Sequence, residues 1–439
     1  MGLLTFKRGI HPPHRKHLSE HKEIETYLPK GDLVFPMSQH IGTPCTPLVK
    51  KGDKVLVGQK IGEASSLISA NVISSVSGTV KNVTPMLTDG GKKVMSIIIE
   101  NDNNYEEVVP TPHENFKSLS NDELLEIIKE AGIVGLGGAC FPTHVKLNPP
   151  KECNIDTIIV NAAECEPYLT CDHQLMLQHS KEVTEGLEIL AHMFPNAKIY
   201  LGIENNKKDA ITIMKAMLES LQNVEVAELK TKYPQGAEKQ LIYSITKREV
   251  PTGKLPTDVG CIIQNVGTVV AIRKAVIEGK PLTERVVTIT GGAITTPKNV
   301  LVKLGTSVQE LIDFCGGFKE TPVKVVCGGP LMGTALFSLD IPAIKDTSGI
   351  VCLSAAETSI DQEQNCIRCG RCVSSCPMGL LPNKLNSLVL KRNYEEFEKL
   401  NGLNCIECGA CSFVCPSKRN LTQSCKEGKK QVLANRKKK

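Results

Sequence analysis

Eight of the eighteen cysteines fall into two copies of one short pattern, and this duplication limits what the chain can be more than any other feature. The first copy reads Cys366-Ile367-Arg368-Cys369-Gly370-Arg371-Cys372-Val373-Ser374-Ser375-Cys376-Pro377, and the second reads Cys405-Ile406-Glu407-Cys408-Gly409-Ala410-Cys411-Ser412-Phe413-Val414-Cys415-Pro416. Each matched pair is 39 residues apart, so the segment is an internal repeat. Three thiolates at a spacing of three wrap one corner of an iron-sulfur cubane, while the fourth, followed by Pro, turns away to the other cluster. The pattern assigns Cys366, Cys369, Cys372 and Cys415 to a first 4Fe-4S cluster, and Cys405, Cys408, Cys411 and Cys376 to a second. Zinc is the competing reading of Cys-x-x-Cys pairs, but a zinc site closes on four ligands whereas each copy offers three plus one. Cysteine-ligated cubanes do one-electron chemistry, so residues 366–415 read as an electron wire.

The remaining ten cysteines are scattered singly, as in a reduced compartment where unpaired thiols pack as small hydrophobes. Cys425, just outside the pattern, reads as an ordinary free thiol. No stretch approaches the ~20 apolar residues needed to span a bilayer. The start of the chain is charged and Pro-interrupted, unlike a signal peptide. These features predict a chain that stays in the cytoplasm; if it works at a membrane, something else must hold it there. The net charge of +5 is local, because residues 418–439 carry nine Lys or Arg and one Glu. Such a run predicts a solvated basic tail. With no Trp and 4% aromatics, and with basic residues confined to the end, the composition argues against a nucleic-acid partner.

At 439 residues the chain calls for roughly two to four domains, and the pattern predicts a multidomain α/β protein. Residues 1–115 read as an N-terminal arm and a barrel-sandwich hybrid, from short β runs and Gly turns between 43 and 83. That module resembles biotinyl and lipoyl carriers, yet its equivalent hairpin, Ile68-Ser69-Ala70-Asn71-Val72-Ile73, has no carrier Lys. Residues 116–284 read as a Rossmann-like domain, with helices over 121–131 and 173–193 alternating with strands over 156–160 and 198–203. This alternation predicts a largely parallel sheet with ligands at its carboxyl edge. Residues 285–355 read as a small β-grasp-like, SLBB-type module. Residues 356–425 form the two-cluster, ferredoxin-like helical domain, joined internally by an amphipathic helix with Leu385, Leu388, Val389 and Leu400, and 426–439 are the basic tail.

Residues Gly135-Leu136-Gly137-Gly138-Ala139-Cys140-Phe141-Pro142-Thr143-His144-Val145-Lys146 offer backbone N–H groups for close approach to a phosphate or flavin, with a Lys for charge. Alone, this is also an ordinary Gly-rich turn. It is followed by Asn161-Ala162-Ala163-Glu164-Cys165-Glu166-Pro167, then by Tyr233-Pro234-Gln235-Gly236-Ala237-Glu238-Lys239-Gln240, then by Gln264-Asn265-Val266-Gly267-Thr268. In this order, ahead of a ferredoxin-like end, the four segments resemble the flavin- and NADH-binding subunit of respiratory complex I. With Gly9-Ile10-His11-Pro12-Pro13 and the barrel-sandwich module, the chain is more similar still to the C subunit of Rnf ion-translocating ferredoxin:NAD oxidoreductase complexes, from about Phe6 to Cys425.

The resemblance implies that Gly135, Gly137, Gly138 and Phe141 line FMN, with Lys146 near phosphate. It implies that Asn161, Glu164 and Cys165 follow the flavin, that Glu166 and Glu238 face NAD(H), that Asn265 meets the flavin phosphate, and that Gly236 belongs to the same set. It implies a subunit of a membrane-bound translocase that exchanges electrons with NAD(H) through FMN and relays them through two clusters. Its partners would be integral-membrane and iron-sulfur subunits and, indirectly, ferredoxin. Hydride brings two electrons and a cluster takes one, so a two-electron carrier able to pass through a one-electron state must sit between them, and FMN meets that need. Three positions depart from the pattern: Cys140 and Ala237 replace Gly and are expected to crowd the cofactor, and Ala163 replaces an Asp of the complex I subunit. A flavin-free iron-sulfur adaptor and a flavin-dependent corrin reductase are the alternatives. In the second family the barrel-sandwich module follows the clusters, whereas here it precedes them. His11, His14, His17 and His21 read as a solvated or partner-docked arm, since Pro12-Pro13 breaks any helical metal spacing.

Overall fold

The computed structural model describes residues 2–358 and 362–438, the side chains of 437 and 438 apart. Its centre is a four-stranded parallel sheet in the order Val224–Leu229, Lys198–Glu204, Thr157–Ala162, Cys261–Asn265. Both faces are covered, as all-parallel sheets require. Ile158, Val160 and Ala162 enter one apolar core with the helices Ser180–Met193 and Val266–Glu278, while Ile159 and Ala163 enter a second with Leu241 and Ile242. That period-2 division of apolar residues fixes the strand register. The expected helix over 173–193 is two helices, Cys171–Gln178 and Ser180–Met193, broken at His179, whose ring bonds the Glu182 carboxylate at 2.9 Å.

The barrel-sandwich region pairs a four-stranded antiparallel sheet with a three-stranded one. Ile68 of its hairpin is exposed, but Ser69, Ala70 and Asn71 are at most 2% accessible, unlike a carrier's tip. The buried Lys345 ammonium donates to the Asn71 and Gly132 carbonyls at 2.6 and 2.7 Å, tying the tip to the central domain. The next module is a mixed six-stranded sheet, and its edge strand, Ile24–Tyr27, comes from the N-terminal arm and runs parallel to Lys298–Lys303. The arm is therefore docked on the molecule, while His11, His14, His17 and His21 stay exposed. Leu4 bridges the edge of the parallel sheet at Leu229, and Ile10 bridges Tyr233.

The cluster region is helical. The predicted connecting helix is two short ones, with Leu385, Leu388 and Val389 on Pro382–Leu390 and Leu400 capping Tyr394–Lys399. The basic end is also a helix, Leu421–Lys438, packed on Pro382–Leu390 with Cys425 and Val432 buried. Phe397 is fully buried against it: a Cβ on Gly428 would lie 2.7 Å from the ring. Among the described residues no helix is long and apolar enough to cross a membrane.

Candidate functional site

The strand order reverses between Thr157–Ala162 and Cys261–Asn265, and such a switch point opens a crevice at the carboxyl ends of the strands. Asn161 and Asn265 are register partners there. Asn265 Oδ1 accepts from Gly267 N at 2.8 Å, capping the helix that follows, and its Nδ2 donates to Asp172 Oδ2 at 2.8 Å. The Gly-rich loop lies against this cap. Leu136 N donates to Thr268 Oγ1 at 2.9 Å, and a Cβ on Gly137 would sit 2.8 Å from Asn265 Nδ2, so only Gly fits. A Cβ on Gly138 would meet nothing within 4 Å, which leaves that stretch of backbone open.

The two Gly replacements do not crowd this loop. Cys140 adopts φ +50°, the left-handed conformation a Gly would take easily, and its side chain is 3% accessible, packed in the core with Leu136 and Ala70. Burial pushes its thiol well above the ordinary range. Ala237 has φ −66° and needs no Gly.

Two buried lysines that sequence reasoning missed hold the Asn161–Glu166 loop. Lys16, from the docked arm and 4% accessible, donates to the Glu164 carbonyl at 2.9 Å, to the Glu166 carbonyl at 3.1 Å and to the Leu169 carbonyl, and it pairs with Glu164 Oε2 at 3.6 Å. Glu164 itself sits at φ +45°. Its Oε1 accepts from Asp172 N at 2.7 Å, and its buried Oε2 accepts no hydrogen bond. Lys207 donates to the Ala163 carbonyl at 2.7 Å, with Glu204 3.8 Å away. Asn161 Nδ2 donates to Gly236 O at 2.9 Å, and Gly236 N donates to Cys165 Sγ at 3.2 Å, so the second and third sequence segments are laced together. Lys146 Nζ bonds Ile263 O at 3.0 Å and lies 3.5 Å from Glu238, a half-exposed pair at the rim.

Glu166 stands differently from its expected position facing a nucleotide. Its carboxylate accepts from Leu331 N at 3.1 Å, Met332 N at 3.0 Å and the Tyr233 hydroxyl at 3.2 Å. It thus clamps the 329–332 turn of the six-stranded module. Burial pushes its pKa up to about 7 against those donors, and burial does the same to Glu204. A carboxyl whose folded pKa lies above its unfolded value stabilises the fold most at or below that unfolded value, and the stability is lost as pH rises toward 7. Chemical denaturation is expected to show stability falling between about pH 4.5 and 7, with a shallower slope in Glu166→Gln. An unchanged slope in that variant would contradict the assignment.

Tyr233, 1% accessible, is the other residue whose role the sequence did not reveal. Its hydroxyl lies 2.6 Å from the Cys408 carbonyl, and its ring packs with Ile10 in an apolar cluster that also holds Cys165, Cys408 and Leu331. The Gly-rich crevice and the second set of cysteines are therefore immediate neighbours. Cys376, Cys405, Cys408, Cys411 and Cys425 line one cavity. Cys415 packs against a small cluster of Cys372, Cys411 and Leu421, and Cys366 and Cys369 are exposed.

Comparison with known proteins bears on the same regions. A family model described as the RnfC barrel sandwich hybrid domain matches residues 4–104, the Nuo51 FMN-binding domain matches 128–274, the SLBB domain matches 286–335, and a 4Fe-4S dicluster domain matches 365–419. The C subunit of the proton-translocating ferredoxin:NAD(+) oxidoreductase complex of Clostridium ljungdahlii is 49% identical over 90% of this chain and 86% of its own length. Its counterpart in the Na(+)-translocating ferredoxin:NAD(+) oxidoreductase complex of Acetobacterium woodii is 44% identical over 99% of this chain and 98% of its own. The C subunit of the ion-translocating oxidoreductase complex of Rhodobacter capsulatus is 39% identical over 88% and 75%. An NAD+-reducing [NiFe]-hydrogenase structure in the air-oxidized state aligns with a TM-score of 0.50 at 17% identity, over 74% of this chain and 64% of that one, a likeness of fold alone. The duplicated cysteine pattern, the crevice beside it and these relatives together make the chain a member of the C-subunit family of ion-translocating ferredoxin:NAD(+) oxidoreductase complexes.

Proposed function

We propose that this chain is the NAD(H)-facing relay of such a complex, working on the cytoplasmic face of the membrane and held there by integral-membrane and iron-sulfur partner subunits. The family's FMN and two 4Fe-4S clusters fit the residues present. The open backbone at Gly138, the buried Glu164 Oε2 without a hydrogen-bond donor, and the Asn161–Asn265 pair are what a flavin cradle needs. When bound, FMN supplies the conversion between hydride and single electrons. Gly135, Gly137, Gly138 and Phe141 give the loop its shape, Lys146 supplies positive charge at the rim, and Glu238 beside it is free to meet a nucleotide. Glu166 holds the crevice against the cluster region.

The observation that carries this reading is the contact from crevice to cluster. The Tyr233 hydroxyl lies against the Cys408 carbonyl while Cys165 packs in the same apolar cluster. The cluster held by Cys376, Cys405, Cys408 and Cys411 therefore takes the position next to the flavin. The exposure of Cys366 and Cys369 supports an exit position for the other cluster, facing partner subunits and ultimately ferredoxin. A flavin-free adaptor loses its main support, because Cys140 packs into the core.

The test is anaerobic purification of the chain with iron, sulfide and flavin quantified and the visible spectrum followed as NADH is added. About eight iron atoms with FMN, and bleaching on NADH addition, are expected. The same iron without flavin or bleaching would leave only a cluster-bearing adaptor.

A further inference from the structure

A ninth cysteine stands at the second set of thiols. Cys425 lies beyond the duplicated pattern, on the helix Leu421–Lys438, and is 1% accessible. It packs in the same apolar cluster as Cys405 and lines the same cavity as Cys376, Cys405, Cys408 and Cys411. One turn further along, Lys429 Nζ donates to the Cys405 carbonyl at 2.8 Å and pairs with Glu407 at 2.6 Å, which clamps the helix onto the Cys405 loop. Glu407 N also approaches Cys405 Sγ at 3.4 Å.

The repeat is broken at this position. The residue 39 places before Cys425 is Asn386, whose amide donates to Ser424 Oγ at 2.7 Å and accepts from Arg419 at 3.0 and 3.2 Å. The two copies therefore carry the same ligands but different neighbours. A cluster gains negative charge on reduction, so a donor to one of its sulfurs stabilises the reduced form and raises the potential. A thiol differs from a hydroxyl or amide here only in strength, since all three offer a proton to sulfur.

We propose that Cys425 is not a cluster ligand but a hydrogen-bond donor to Cys405 Sγ, which raises the reduction potential of the second cluster alone and so separates two clusters that their ligands would leave alike. The proposal rests on the crossed ligand assignment, and NADH reduction of the clusters left in Cys376→Ala and Cys415→Ala tests that assignment separately. The experiment is a redox titration of anaerobically purified holoprotein followed by electron paramagnetic resonance, comparing wild type, Cys425→Ala and Cys425→Ser. The signal lost in Cys366→Ala identifies the first cluster. In Cys425→Ala the second cluster's midpoint is expected to fall, with about a tenfold loss of its reduced form at the original midpoint, or about 59 mV for a one-electron couple. The first cluster's midpoint and the content of about eight iron atoms stay unchanged. Cys425→Ser, which keeps a donor, falls by less. Unchanged midpoints in both variants would overturn the proposal, as would equal shifts of both clusters. Loss of about four iron atoms from Cys425→Ala would overturn it too, by making Cys425 a ligand.

Discussion

Cys376→Ala is expected to abolish the cluster belonging to the other copy of the repeat, and Cys415→Ala to do the converse. Both variants should fall from about eight iron atoms to about four, since each cubane holds four. What separates them is the route from NADH. Cys376 lines a cavity with Cys405, Cys408 and Cys411, beside the carbonyl that meets Tyr233. Removing it takes out the carrier next to the flavin, so NADH should still bleach the flavin but no longer reduce the surviving cluster. Cys415 belongs to the outer set in the crossed assignment, so its loss should leave the near cluster reducible. Cys425 is the one neighbouring thiol able to take over a vacated corner, so Cys376→Ala is best read alongside the Cys376→Ala/Cys425→Ala double variant. Continued NADH reduction of a cluster in Cys376→Ala and its loss in Cys415→Ala would mean that each copy of the repeat binds its own cluster.

What the sequence made legible follows from how local its signals are. Ligand spacing in the repeat is a local property and is readable without a fold, as is the alternation of strands and helices around the parallel sheet. Lys16 is the opposite case. It stands among His14, Arg15 and His17, and nothing nearby distinguishes it from a solvated cation. Its burial comes only from docking the arm on residues some 150 positions away. Tyr233 was visible within a segment, but its role depends on a cluster region that arrives 175 residues later. The basic tail is different again, because a signal was present and was outweighed. Leu421, Cys425 and Val432 repeat at four and seven residues, a helical apolar stripe, and all three are buried. The positive charge that suggested a solvated segment is partly met by carboxylates, with Lys429 on Glu407 and Arg436 on Glu398.

Lys16→Met should cost the chain its flavin while sparing its iron. The methionine fills nearly the same volume but leaves the Glu164, Glu166 and Leu169 carbonyls without their shared donor and the Glu164 carboxylate without its cation. Breaking a buried pair by removing one partner costs roughly 3–5 kcal/mol. Glu164 adds to this, because a non-Gly residue at φ +45° persists only when its surroundings hold it. If most of that free energy falls on the loop, FMN affinity drops roughly 10²- to 10³-fold. Fluorescence titration of flavin-stripped protein with FMN measures it directly. Iron content and cluster spectra serve as the control, since the arm meets the cluster region through Gly9 N on the Ser375 carbonyl, Arg8 on the Val373 carbonyl and Ile10 beside Tyr233, and not through Lys16. Lys207→Met removes the donor to the adjacent Ala163 carbonyl, so the two variants act on one loop and their combined effect should fall short of the sum. Strict additivity would mean that the lysines act on separate parts of the site, and unaltered FMN affinity in Lys16→Met would show that the arm only fastens the fold. In the expected case the docked arm is part of the cofactor site, which accounts for a buried ammonium beneath a loop whose own sequence carries no cation.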